Sequence, residues 1–372
     1  MALKKWIGKI HLWLGLASGL IVVFLGITGC ILAFQREIES VTVPYQNVQP
    51  QHAAMLPPSE ITKIANAHLP GKQPHSIAYG VKNKAAQAIY YGEDYYYIIY
   101  VNPYNGQVLK VRNMNRDFFR IMINGHFYLW LPPTIGQPIV ATATLIFLIM
   151  LITGIVLWWP RNKAARKQRF SIKWNAKWKR VNYDLHNVLG FYMTWIAIFI
   201  AVTGLVWGFQ WFANSIYWTA SGGKKMIQWE ESYSDKKNIA LKSAAPAIDL
   251  IWQKMTQENP AAQVIEVHPP TSDSASIEAV ANPDETTYWK SDYRYFDQYT
   301  LQEMPVRHLY SRFSKATAAD KIMRLNYDVH TGAVWGIAGK IMVFCASLVA
   351  ASLPITGFLI WRGRRKKKKK MA

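Results

Sequence analysis

The chain has 372 residues, of which 51% are hydrophobic, 14% aromatic and 17% charged, and its net charge is +21. So much apolar surface excludes a disordered chain, and two cysteines in this length exclude a disulfide framework. Two or three domains are allowed by length alone, so the distribution of the apolar residues decides the class.

They are gathered into spans. Leu12–Phe34, Pro138–Trp159, Val188–Phe212 and Ile337–Trp361 each run for 22 to 25 residues with no Asp, Glu or Arg and one lysine, Lys340, near an end. About 20 such residues cross a bilayer as a helix, so each predicts a transmembrane helix. The first follows Lys4, Lys5 and Lys9, as a signal peptide would. It is too long for an h-region, and Ile31–Glu39 offers no small-residue cleavage site, so it reads as an uncleaved anchor. After it, Pro58–His68 reads as a short helix and Tyr95–Val101 as a strand, with Asn105-Gly106 as a hairpin turn. Between the third and fourth spans, Ala244–Gln257 reads as a helix, Ala275–Ala281 and Tyr293–Asp297 as strands, and Gln298–Gln302 as a turn. Each long loop is therefore expected to be a small α+β module of a helix on a few antiparallel strands.

Charge orients the spans. The three residues Lys4, Lys5 and Lys9, nine from Arg161 to Arg180, and eight from Arg362 to Lys370 make twenty cations in segments without an acid. Basic residues stay cytoplasmic, which places both termini and the loop between spans two and three inside, and the loops 35–136 and 213–336 outside. Because the charge hugs the membrane edges, no nucleic-acid partner is expected. The run Arg364–Lys370 reads as a topology anchor, with anionic lipid as its other candidate role.

The sequence repeats itself. His11-Leu-Trp-Leu-Gly15 with Thr28-Gly29 matches His186-Asn-Val-Leu-Gly190 with Thr203-Gly204; His to Gly is four residues and His to Thr seventeen in both. Thr153-Gly-Ile-Val-Leu-Trp158 matches Thr356-Gly-Phe-Leu-Ile-Trp361, with His126 and His330 lying 27 and 26 residues ahead. A tandem duplication with an even number of spans per half inserts both halves the same way up, about a pseudo-twofold axis along the membrane normal. His11 and His186 fall at the cytoplasmic ends of spans one and three, and His126 and His330 at the outer ends of spans two and four. The axis brings each pair face to face.

Histidines at membrane depth are functional candidates. Zinc takes three or four protein ligands, and no carboxylate or cysteine repeats with these four. Haem iron accepts two axial imidazoles. Gly15 and Gly190, one turn from their histidines, leave room for a porphyrin, and Gly332, Gly336 and Gly339 are read the same way after His330. Close helix packing is the other reading for these glycines. The expected cofactor is haem b, in two bis-histidine sites ligated by His11 with His186 and by His126 with His330; without Cys-x-x-Cys-His no c-type attachment is possible. His52, His68, His75, His268 and His308 read as surface residues, and Cys30 and Cys345 as buried packing residues. There is no Gly-x-Gly-x-x-Gly, hence no dinucleotide site in the chain. The inner and outer histidines are separated by about 35 Å of helix if measured from His11 to Phe34.

These residues, together with Asn-Gly-His126-Phe-Tyr-Leu-Trp-Leu, Thr-Gly-Ile-Val-Leu-Trp-Trp-Pro-Arg161, Asp-Leu-His186-Asn-Val-Leu-Gly and Val-His330-Thr-Gly, resemble the PepSY-associated transmembrane proteins. That family is also described as iron-regulated membrane proteins, and a ferrioxamine siderophore reductase is among them. The resemblance implies PepSY folds outside, a bacterial inner membrane, haem, and reduction of ferric siderophore in the periplasm, with quinol or a cytoplasmic flavoprotein as electron donor. The second outer segment, Phe296-Asp-Gln-Tyr-Thr-Leu, departs from the pattern in lacking the glycine that Gly106 supplies.

The expected fold is an α-helical membrane protein of four transmembrane helices in two parallel helix–PepSY–helix repeats. Its segments are 1–36, 118–160, 185–213 and 321–362 for the spans, 37–117 and 214–320 for the periplasmic modules, and 161–184 and 363–372 for the cytoplasmic loop and tail. The expected function is a di-haem transmembrane reductase of ferric siderophore. A non-catalytic PepSY binding or scaffold protein and a metal or proton transporter are the competing functions.

Overall fold

The structure is a computed structural model that describes residues 2–160, 166 and 169–369. Arg161, Lys163, Lys167 and Lys370 of the basic segments lie outside the described residues. In chain order the helices are α1 (Ala2–Ala33), α2 (Gln35–Thr42), α3 (Pro58–Asn66), α4 (Phe118–Tyr128), α5 (Pro133–Trp158), α6 (Trp178–Gly208), α7 (Gln210–Ala220), α8 (Ala247–Glu258), α9 (Ala318–Arg324), α10 (Asn326–His330) and α11 (Gly336–Lys369). The strands are β1 (Ser76–Tyr79), β2 (Ala86–Tyr91), β3 (Tyr96–Val101), β4 (Val108–Asn113), β5 (Val264–His268), β6 (Ile277–Asn282), β7 (Asp292–Phe296) and β8 (Glu303–Met304). The chain divides into a helical unit, Met1–Gln35, Ile121–Ile216 and Asn326–Ala372, and a sheet unit, Arg36–Arg120 and Tyr217–Leu325.

Four helices of the first unit are long and apolar enough to cross a membrane: α1, α5, α6 and the stretch Ala333–Arg365, which takes in most of α11. The chain is a multi-pass membrane protein. The helix α1 starts ten residues before Leu12, and α6 ten before Val188, because the polar flanks continue the helical hydrogen bonding past the apolar run. At its far end α6 stops at Gly208, short of Phe212, where Phe209 turns extended and a new helix begins. Packing is cyclic: α1 lies against α5 and α11, and α6 lies against the same two. Thus α1 and α6 face each other across the bundle diagonal. Small residues set the closest approaches, as expected between helices in lipid. A Cβ on Gly26 would fall 2.8 Å from the Ser347 carbonyl oxygen, and one on Gly208 2.7 Å from the Ala141 methyl. Cys30 is half-buried, and Cys345 faces outward rather than into the bundle.

Two short helices fold back against these spans. After α4, Leu129 and Trp130 both adopt left-handed backbone (φ 55° and 58°) before the Pro132-Pro133 start of α5. The reversal is tied down by the Trp130 indole, which donates to the Ile121 carbonyl (2.8 Å) and packs edge-on to Phe24. After α10, Gly332 and Gly336 supply positive φ (76° and 59°). Gly332 and Gly339 touch backbone to backbone, since a Cβ on Gly339 would lie 2.1 Å from the Gly332 oxygen. These glycines make a chain reversal, not the room for a porphyrin expected of them.

The sheet unit corrects the expectation of two separate modules. All eight strands form one antiparallel sheet, ordered β4-β3-β2-β1-β5-β6-β7-β8. Each outer segment contributes four strands, and the two sets join through β1 and β5, with Ile77 opposite Val267 and Ala78 opposite Glu266. A lone module would leave one of these strands as an unpaired edge, and joining satisfies both. The alternating residues Ile77, Val267, Ile277, Ala88 and Ile99 face one side, where α3 and α8 cover them with Ile61, Ala65, Ile251 and Met255. Burying each such aliphatic side chain contributes roughly 1.5–3 kcal/mol. The two helices are latched where Asp249 of α8 accepts from the Ser59 backbone N–H (2.8 Å) and hydroxyl (2.6 Å) at the start of α3.

The predicted hairpins both form. At the first, Asn102 N–H donates to Gln107 and Gly106 N–H to Asn102, with Gly106 at φ 76°. At the second, Asp297 N–H donates to Gln302 and Leu301 N–H to Asp297, in the same pattern. Leu301 takes the left-handed position at φ 59° in place of glycine. The Asp297 carboxylate accepts from the backbone of Tyr299 and Thr300 (2.9 and 2.8 Å), as the Asn102 side chain accepts from Tyr104 (3.0 Å) at the first.

Candidate functional site

The four repeated histidines all lie in the helical unit, and each is held by a threonine of another helix. His11 on α1 meets Thr153 on α5, Nδ1 to Oγ1 at 2.9 Å. His126 on α4 meets Thr28 on α1 at 2.8 Å. His186 on α6 meets Thr356 on α11 at 2.9 Å, and His330 on α10 meets Thr203 on α6 at 2.8 Å. The two halves of the chain thus use the same pairing.

The hydroxyls fix the tautomers. Each threonine donates its single proton to the backbone four residues earlier: Thr28 to Phe24, Thr153 to Ile149, Thr203 to Phe199 and Thr356 to Ser352. A hydroxyl has one hydrogen, so toward the imidazole it accepts. Each Nδ1 therefore carries the proton, and each Nε2 keeps its lone pair. No hydrogen bond to these Nε2 atoms occurs among the described residues. Neutral imidazole, oriented through Nδ1–H with Nε2 free, is the form in which histidine ligates a metal.

The glycine after each threonine lies under the ring. A Cβ on Gly29 would sit 3.6 Å from His126 Cε1, on Gly154 3.6 Å from His11, on Gly204 3.5 Å from His330 and on Gly357 3.2 Å from His186. The Thr-Gly dipeptide thus does two things: the hydroxyl orients the imidazole and the glycine lets it lie close. In the C-terminal half an asparagine one turn before the histidine adds a brace. Asn182 donates to the Thr356 carbonyl and Asn326 to the Thr203 carbonyl, each at 3.1 Å. In the sequence these threonines were visible only as repeat markers; their partners across the bundle and the two asparagines were not.

The histidines are gathered in two cavities. One is lined by His126 and His330, with Gly29, Gly204, Phe127 and Trp207. The other is lined by His11 and His186, with Gly15, Gly190, Gly154 and Gly357. Gly15 and Gly190 do line their cavity, and they also seat neighbouring side chains: a Cβ would reach Met150 at 2.8 Å and Leu353 at 3.6 Å. The His126 and His330 ring centroids are 6.3 Å apart. Trp207 packs edge-on to His330 (5.2 Å) and closes one side.

Two features shorten the distance between the pairs. Folding back of α4 sets His126 beside Thr28 rather than beyond the end of α1. From His11 to Thr28 the helix rises about 25 Å, against about 35 Å measured to Phe34. Val22 and Phe147 line both cavities, so the two approach each other there.

Of the other histidines, His52, His68 and His75 are exposed. His308 is not the surface residue expected: it is 4% exposed, against Trp229 and Tyr295. Among the described residues no group of three or more His, Cys, Asp or Glu is placed to hold a metal ion.

The chain matches the PepSY-associated TM region over residues 9–364 and belongs to that family. No curated protein matches it.

Proposed function

We propose that this family member is a di-haem reductase of the bacterial inner membrane that reduces ferric siderophore in the periplasm and releases Fe(II). The four histidines with protonated, threonine-held Nδ1 and free Nε2 carry this reading. His11 and His186 would hold one b-type haem, and His126 and His330 the other. The donor set fits, because axial ligation needs two imidazoles per iron and each cavity presents two. When bound, the haems supply one-electron chemistry. The chain's own contribution is to fix the imidazole tautomers through Thr28, Thr153, Thr203 and Thr356, to keep the rings close through the adjoining glycines, and to wall the sites with apolar side chains. The duplicated halves, related about an axis along the membrane normal, account for the matching His–Thr pairs. Positive-inside charge sets the sheet unit in the periplasm, and quinol or a cytoplasmic flavoprotein is the donor.

A second reading has its own support. Family membership and an eight-stranded extramembrane sheet by themselves describe a PepSY membrane binding or scaffold protein. A metal-transporting variant finds less support, since no cluster of three metal ligands occurs among the described residues. The visible spectrum of the purified protein separates the readings. A Soret band with sharp α and β bands after dithionite supports the reductase. A colourless, stable protein leaves the scaffold.

A further inference from the structure

The two histidine cavities differ in charge. Among the described residues that line the cavity of His11 and His186 are two cations, Arg169 and Arg364, and no acid. The cavity of His126 and His330 has neither cation nor acid among its described lining residues; its polar wall is made of neutral groups such as Gln137 and Tyr327. Each half of the duplication supplies one of the arginines. Arg169 follows Trp158, and Arg364 follows the matching Trp361.

Packing, not charge, puts Arg169 there. It belongs to the basic loop between the second and third spans, whose cations set topology wherever their side chains point. Its backbone carbonyl accepts from the Trp158 indole (3.3 Å). That indole stacks face to face on Phe191 (3.8 Å between centroids), and Phe170 packs edge-on to both. The aromatic cluster fixes residues 169 and 170 against α5 and α6. The half-buried guanidinium then reaches Asn187, the residue after His186, and donates to its Oδ1 at 3.3 Å. Arg364 lies on α11 about two turns beyond Gly357, the glycine under His186. Neither arginine has a carboxylate partner among the described residues. Arg180 is different, since its Nε donates to both oxygens of Asp184 (2.8 and 2.9 Å).

An unpaired guanidinium on an apolar cavity favours an anion, and its planar fork matches a carboxylate through two parallel N–H···O bonds. Two guanidiniums beside two ligating imidazoles fit a flat apolar molecule with two carboxylates on one edge. Haem b is such a molecule. We propose that Arg169 and Arg364 each receive one propionate of the haem held by His11 and His186, whereas the haem at His126 and His330 is held without a cation. This rests on the di-haem reading and adds an orientation to it: the propionate edge of the first haem faces the basic loop and the end of α11. It also makes the two sites chemically unequal. A cation beside a propionate opposes the positive charge of ferric haem and so favours the ferrous state at His11 and His186.

The test reconstitutes haem-depleted full-length protein in detergent with haem b and with its dimethyl ester, which keeps the ring and iron and loses both carboxylate charges. His126→Ala confines binding to the site with arginines and His11→Ala to the site without them, and absorbance titration reads each affinity. The site with arginines should prefer the acid by about tenfold or more, the worth of a hydrogen bond between charged groups; the other site should take both alike. Arg169→Gln should remove most of the preference, exposed Arg364→Gln less, and Arg169→Lys should keep part of it. Arg169→Gln should also lower the reduction potential of the haem at His11 and His186 and leave the other unmoved. Should the histidine variants fail to fold, the unmodified protein should bind two equivalents of haem tightly but only one of the ester. The proposal is overturned if the ester is held as tightly as the acid at both sites, which leaves the arginines to topology or to anionic lipid. It is overturned too if both sites prefer the acid equally, or if Arg169→Gln changes neither preference nor potential. The di-haem reading survives each of these results, whereas failure of both haem and ester to bind overturns it and the proposal together.

Discussion

Replacing Thr28 with valine tests the site at its most specific contact. Valine keeps the shape of threonine and removes the oxygen that accepts from His126 Nδ1 at 2.8 Å. Thr28 is 3% exposed, so water does not readily replace it. The orphaned N–H costs about 1–3 kcal/mol, unless the proton moves to Nε2, where it would block ligation. Loss of such an outer hydrogen bond lowers metal affinity about 10–100-fold, which is about 1.4–2.8 kcal/mol and agrees with the first range. Haem transfer to excess apomyoglobin reads the affinity, and pyridine haemochrome the content. Thr28→Val should weaken retention at the His126–His330 site by about 10–100-fold and leave the His11–His186 site unaltered. Thr28→Ser, which restores the hydroxyl, should behave as the unmodified protein. The reasoning fails if a folded Thr28→Val protein keeps both haems as tightly as before, or if serine is as damaging as valine.

His11→Ala or His186→Ala should remove one haem, and His126→Ala or His330→Ala the other. The haem-to-protein ratio should then fall from about two to about one, one bis-histidine haem per pair; loss of both from every variant would refute the pairing. Gly357→Ala should disturb its site more than Gly154→Ala, because its added methyl would lie 3.2 Å from His186, against 3.6 Å from His11; equal spectra for the two would contradict this. Alkaline phosphatase fused after Gly106 or Gln298 should be active and fused near Lys173 inactive; the opposite pattern would reverse the topology. Arg312 and then Arg294 hold the Glu303 carboxyl down to about 2. Its contribution to the sheet unit is full above the unfolded glutamate value of about 4.3 and is lost as pH falls through about 2. Glu303→Gln should flatten that part of an acid titration followed by circular dichroism, and an unchanged profile would refute the assignment.

The spans were legible because 22 or more apolar residues in a row have few other uses, and the four histidines because each stands in a motif that occurs twice. What the sequence hid is of another kind. Ser76–Tyr79 and Val264–His268 are short strands without a clear alternation, and nothing local says that they will pair with each other across nearly two hundred residues. The second hairpin was legible in position but not in conformation, because Leu301 takes a left-handed backbone (φ 59°) that its side chain disfavours. The role of Thr-Gly was hidden for a related reason. Within α1, Thr28 is an ordinary back-bonded threonine, and its second function exists only once α4 folds back through Leu129 and Trp130.

That fold-back also explains the repeat. A histidine at the far end of α5 would leave the two pairs a full membrane thickness apart. Carrying His126 on α4 and His330 on α10, two helices that double back, brings the outer pair to the level of Thr28 and Thr203, within α1 and α6. The first helix then serves both cavities, giving His11 to one and Thr28 to the other, and α6 does the same with His186 and Thr203. Seventeen residues separate the two in each case, which is about 25 Å of rigid helix. Neither cavity can move along this helix independently of the other. The spacing between the histidine pairs is thus set by helix geometry rather than by loops, and Val22 and Phe147 line both cavities.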